Sequence, residues 1–100
     1  MSDANALTAA QLLDKTIEAM VAAGPEGWCR GVADHGVRPR PVCTMNRAMN
    51  LLGVKQAMNA GPDWHRASRR LGFGNVMDLN DSAESFDDCI DKLRRLKAAL

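Results

Sequence analysis

The sequence predicts an all-α fold, a small bundle of three to four helices, on three observations. Its 46% hydrophobic content is carried by Ala, Leu, Val and Met, with four aromatics (Trp28, Trp64, Phe73, Phe86) and no Tyr. Such residues lose little on entering a helix, and strand formers are scarce. Apolar residues recur at helical spacing in two stretches, and each stretch is preceded by a helix start signal. A chain of 100 residues has room for one core, so residues 1–100 are read as one helical domain, with 1–7 frayed.

Thr8 with Gln11 three places on offers the reciprocal bonds of a capping box. A helix is predicted from Ala9 to Ala23, with Leu12, Leu13, Ile17, Met20 and Val21 on one face and Asp14, Lys15 and Glu18 on the other. Gly24-Pro25 closes it, since Gly takes the left-handed exit and Pro cannot continue. From 25 to 41 the pattern breaks into a Gly/Pro-rich loop pinned by Trp28, and Asp34-His35-Gly36 could turn a short hairpin. Pro39 and Pro41 remove donors that a long ladder would need.

A second helix fits Val42 to Leu52, with Val42, Met45, Ala48, Met49 and Leu52 on one side and Gly53 at its end. A third starts at Pro62 and ends before Gly72, turning Trp64, Ala67, Ser68 and Leu71 inward and His65, Arg66, Arg69 and Arg70 outward. Residues 54–60 fit no single pattern, and 72–85 read as an Asn/Asp-rich loop. Ser85 with Asp88 three on starts the last helix, whose stripe is Phe86, Cys89, Ile90, Leu93, Leu96 and Leu100.

Net charge is +1, which selects no partner, but its distribution is uneven. Residues 30–70 hold eight Arg or Lys against Asp34 and Asp63, while 71–100 hold six acids against four bases. No apolar run approaches the roughly 18–20 residues that span a bilayer. Three cysteines make no disulfide framework, and the N-terminus lacks the basic and apolar regions of a signal peptide. The expected location is the reducing cytoplasm.

Chemistry-bearing residues offer several readings. Cys29, beside Trp28 in the loop, with His35 or His65 as base and Asn80 or Asp81 as orienter, writes a thiol hydrolase. A packed Cys29 is the plainer account, because free Cys is among the most buried residue types. The possible zinc ligands Cys29, His35, Cys43, His65 and Cys89 lack the closely spaced pairs of structural sites, so no metal is expected. No cofactor is expected either, since a chain this size cannot enclose a large one and keep a core. Asp78-Leu79-Asn80-Asp81-Ser82 begins like a calcium loop but has Ala83 at the sixth place and Cys89 at the twelfth. The 62–71 helix with its arginines could read DNA as the second member of a helix-turn-helix, although residues 53–61 exceed the usual 3–4-residue turn.

Three clusters carry a resemblance: Gly27-Trp28-Cys29-Arg30-Gly31, Cys43 opening a helix that contains Arg47-Ala48, and Asn80-Asp81 before the last helix. Together they resemble a family of small uncharacterised bacterial and phage domains with a Trp-Cys-x-Gly loop, a Cys-initiated helix and an Asn-Asp ahead of the final amphipathic helix. The chain departs from that pattern at Thr44-Met45-Asn46, where the family has small residues. The resemblance brings no activity and implies a context, small accessory proteins of bacteria and their viruses, in which binding a host protein or inhibiting host defence is a frequent task. The leading expectation is a non-enzymatic interaction protein that binds a host macromolecule, most readily a protein, through Arg30, Arg38, Arg40, His65, Arg66, Arg69 and Arg70. A Cys29-dependent enzyme and a nucleic-acid-binding regulator are the alternatives, and no membrane partner is expected.

Overall fold

The capping box at Thr8 forms as its residues require: Thr8 Oγ1 accepts from Gln11 N–H at 3.1 Å, and Gln11 Oε1 accepts from Thr8 N–H at 2.8 Å. It opens α1 (Ala9–Ala23), which ends at Gly24. The computed structural model describes residues 7–29 and 42–100. Their further helices are α2 (Thr44–Leu52), α3 (Val54–Arg70), α4 (Val76–Ser82) and α5 (Phe86–Ala99). The all-α class is therefore observed, with five α-helices among the described residues. The addition to the expected three or four is α4, inside the segment read as a loop. No helix among the described residues is long and apolar enough to cross a membrane.

Three boundaries differ from expectation. The second helix begins at Thr44, because Val42 forms an isolated parallel bridge with Trp28 and Cys43 serves as N-cap. The third begins at Val54 rather than Pro62, and Pro62 lies inside it. Proline there forgoes one helical hydrogen bond, and the buried row Ala57, Ala60, Gly61, Trp64, Ala67 and Ser68 offsets that loss by tertiary packing. A single residue, Gly53 at φ +87°, ends α2 and starts α3. A side chain would be strained at that φ, so glycine makes this tight corner possible.

The core is one cluster. Leu12, Leu13, Ile17 and Met20 from α1 meet Ala48 of α2, Trp64 and Ala67 of α3, Val76 and Leu79 of α4, and Cys89, Ile90, Leu93 and Leu96 of α5. α1 packs against α2, α3 and α5, and α3 packs against all four other helices. Val21 and Leu71, expected inward, are exposed, and Leu100 lies at the open end of its stripe. Thr16 takes an inward place of α1 instead, its hydroxyl donating to the Leu12 carbonyl at 2.9 Å.

The Asp34-His35-Gly36 corner lies outside the described residues, but the ends of the 25–41 segment are informative. Pro25–Gly27 form a 3-10 turn. Val42 N–H then donates to the Gly27 carbonyl at 3.0 Å, and Cys29 N–H to the Val42 carbonyl at 3.3 Å. This pairing is parallel. Gly27 is required by close approach, since a methyl there would lie 2.9 Å from the Ala23 Cβ.

Candidate functional site

Two places collect the residues singled out from the sequence. The first is buried and centres on Asn80, in the last turn of α4. Its side chain is fully enclosed and joins four segments. Oδ1 accepts from the Trp28 indole Nε1–H at 2.8 Å, from Thr44 N–H at 3.1 Å and from Thr44 Oγ1–H at 2.8 Å. Nδ2 donates to the Cys29 carbonyl and to Asp81 Oδ1, both at 3.1 Å. The amide orientation follows from chemistry: indole and backbone N–H groups can only donate, so they must face the oxygen. Among the described residues no buried side-chain nitrogen or oxygen lacks a partner.

Cys89 of α5 completes this node, its Sγ 3.7 Å from Asn80 Oδ1 and 3.8 Å from Thr44 Oγ1. Burial pushes the Cys89 thiol from 9.0 up to about 11. A pH dependence follows. The unfolded thiol ionises first, near pH 9, so the folded state keeps its proton while the unfolded state loses one, and stability falls as pH rises from about 9 to 11. The slope from this group stays below the one-proton limit of about 1.4 kcal/mol per pH unit and is steepest midway through that window. Urea titrations of wild type and Cys89→Ala at pH 8, 9 and 10 should therefore diverge above pH 9, with the wild type losing more. Parallel losses would remove Cys89 as the cause.

Trp28, expected to be largely buried, is half-buried; it holds Asn80 through its N–H and packs edge-on against Phe86, ring centroids 6.1 Å apart. Cys29 is buried. Asn80 does lie beside it, yet through the Cys29 backbone carbonyl rather than through a histidine. Of the two candidate bases, His35 lies outside the described residues. His65 is half-buried, and its Nδ1 accepts the Val76 backbone N–H at 3.2 Å, capping the first turn of α4. His65, expected to face outward, thus also has a structural contact through Nδ1. Among the described residues no group of three His, Cys, Asp or Glu is placed to hold a metal ion.

The second place is the outer side of α3. Arg66, Arg69 and Arg70 are exposed, as expected. Arg66 pairs with Asp63 at 3.0 Å, and Arg70 Nη1 donates to the Ala99 carbonyl at 3.1 Å, satisfying an acceptor at the end of α5. These two arginines, with Asp63, Thr8 and Leu100, line a cleft of about 350 Å³ beside the start of α1. Arg47, one of the eight bases of residues 30–70, is turned to the Gly27 carbonyl at 3.0 Å. Arg30, Arg38 and Arg40 lie outside the described residues. Part of the basic excess is thus committed inside the molecule.

The other half of this face is apolar, which the sequence alone does not reveal. Val54 is 57% and Met58 67% exposed. Positions 54, 58, 62, 66 and 69 of a helix fall along one side, three or four apart. The signal was hidden because 54–60 had no assigned helix to define a face. No family model, no curated protein and no solved structure matches the chain.

Proposed function

We propose that this chain is a small non-enzymatic interaction protein that docks the outer side of α3 on a partner protein with an acidic, partly apolar surface. The observation that carries this is the single exposed stripe of Val54, Met58, Pro62, Arg66 and Arg69 on the longest helix. Exposed apolar side chains beside arginine suit a protein interface, where Met and Arg are enriched. A phosphate backbone would reward the arginines and leave Met58 and Val54 without partners. The single-residue corner at Gly53 is also tighter than the 3–4-residue turn of a helix-turn-helix. The resemblance to bacterial and phage accessory domains favours a host protein as partner, with a component of host defence as the target and inhibition as the outcome.

Arg69→Glu and Met58→Glu should each abolish co-purification of the same bacterial protein while changing stability by less than about 0.5 kcal/mol, as exposed substitutions do. Fluorescence titration with duplex DNA supplies the opposing outcome. Micromolar binding that falls with salt by a log–log slope of about −0.9 per phosphate contact, and is lost in Arg69→Glu, would overturn the proposal in favour of a DNA-binding regulator.

A further inference from the structure

We infer that Cys29 and Cys43 form an oxidation site, a thiol pair placed to close into an internal disulfide. The parallel bridge sets Trp28 opposite Val42, so the next residue on each segment, Cys29 and Cys43, occupies the following matched position. Both sides of the register are fixed by hydrogen bonds, Val42 N–H to the Gly27 carbonyl and Cys29 N–H to the Val42 carbonyl. Matched residues on paired segments lie about 4.8 Å apart and project to the same face. That separation falls inside the Cα window of disulfides, about 4.4–6.8 Å. Cys43 keeps the extended backbone of the bridge, at φ −74° and ψ 173°, before α2 begins.

Cys29 and Cys43 are 6% and 8% exposed, with Cys43 Sγ accepting from Asn46 N–H at 3.5 Å, whereas Cys89 is fully enclosed and directed at Thr44 and Asn80. Oxidised glutathione is a sufficient oxidant. One protein thiolate attacks it and expels one glutathione thiolate, leaving a mixed disulfide. The second protein thiolate attacks the protein sulfur of that intermediate and expels the other glutathione. The two protons shed by the cysteines end on the two glutathiones, and the protein loses two hydrogens. The bond ties together the ends of residues 30–42, which carry Arg30, Arg38 and Arg40.

The test uses the full chain, held at neutral pH with oxidised glutathione, quenched with acid, then unfolded and alkylated. The expected result is an intact chain that carries two fewer alkyl groups than a reduced control, a peptide map linking Cys29 to Cys43, and a fall in alkylated thiols from three to one. Cys29→Ser should instead carry one glutathionyl group on Cys43 in place of the thiol hydrogen and form no internal crosslink. Wild-type protein that retains all three thiols, accumulates unresolved glutathione adducts, or crosslinks through Cys89 would overturn the assignment. Because the decisive map is made on the wild-type chain, a poorly folding variant does not obscure it.

Discussion

Asn80→Leu is expected to destabilise the protein by about 3–6 kcal/mol, because the loss falls on several partners at once. Leucine keeps the branching of asparagine at Cγ but is larger and has no polar atoms, so overpacking of the enclosed site adds to the loss. It would leave the Trp28 indole N–H and the Thr44 N–H and hydroxyl without this acceptor, and would remove one donor to the Cys29 carbonyl. Each buried group so orphaned costs about 1–3 kcal/mol, reduced where water reaches the half-buried Trp28. Set against a typical total of about 5–15 kcal/mol, a loss of this size threatens folding at 37 °C. Asn80→Asp divides the effect: it keeps the acceptor, removes the donor to Cys29 and places a second carboxylate against Asp81. Its cost should fall between wild type and Asn80→Leu. Equilibrium urea unfolding of the three proteins checks the ranking, and a cost below about 0.5 kcal/mol for Asn80→Leu would show that the node is not enclosed in solution.

The elements legible in the sequence were those whose ends and faces agree. α1 was read to the residue because the Thr8 and Gln11 pair marks its start, Gly24-Pro25 its end, and Leu12, Leu13, Ile17 and Met20 its inner face. α5 was legible for the same reason, and the Ser85 hydroxyl does accept from Asp88 N–H at 3.1 Å. α3 was cut short because Pro62 is a strong local breaker. The buried positions Ala57, Ala60, Trp64 and Ala67 are spaced three and four apart across it, yet three of them are alanines and carry little hydrophobic signal. α4 was missed although Asn75 caps Asp78 N–H and Val76, Leu79 and Ala83 are buried at helical spacing. Its polar residues Asp78, Asn80 and Asp81 drew the reading toward a calcium loop or a turn.

The Asn80 node was partly legible. Its members Trp28, Cys29, Asn80 and Cys89 were all singled out, but as a nucleophile, an orienter and a stripe residue rather than as one network. Sequence separations of 51 or 52 residues join Asn80 to Cys29 and Trp28. Nothing local announces such a bond, because only packing decides which buried polar groups meet. Thr44 gave the clearest missed hint. A polar residue at the start of an apolar helix face is costly unless it is bonded, and Thr44 is bonded through both its N–H and its hydroxyl.

Trp64→Ala is the second large effect, at about 3–5 kcal/mol. The indole is fully buried in the central cluster, and its Nε1–H donates to the Ala9 carbonyl at 2.9 Å, fastening the middle of α3 to the first turn of α1. Truncation would open a cavity where α3 is weakest, two residues past Pro62, and would remove the long-range bond at the same stroke. The surrounding alanines cannot fill the space, since Ala57, Ala60 and Ala67 carry no atoms beyond Cβ with which to move in. Trp64→Phe separates the two contributions by keeping most of the ring volume while losing the donor. It should cost about 1–2 kcal/mol, the net value of one hydrogen bond and a small packing defect. Amide exchange adds a positional readout, with protection lost first at α3 residues 57–64 and at the start of α1 in Trp64→Ala. If both variants unfold at the wild-type urea midpoint, α3 does not continue through Pro62 as a packed helix, and the exposed stripe built on that continuity loses its frame.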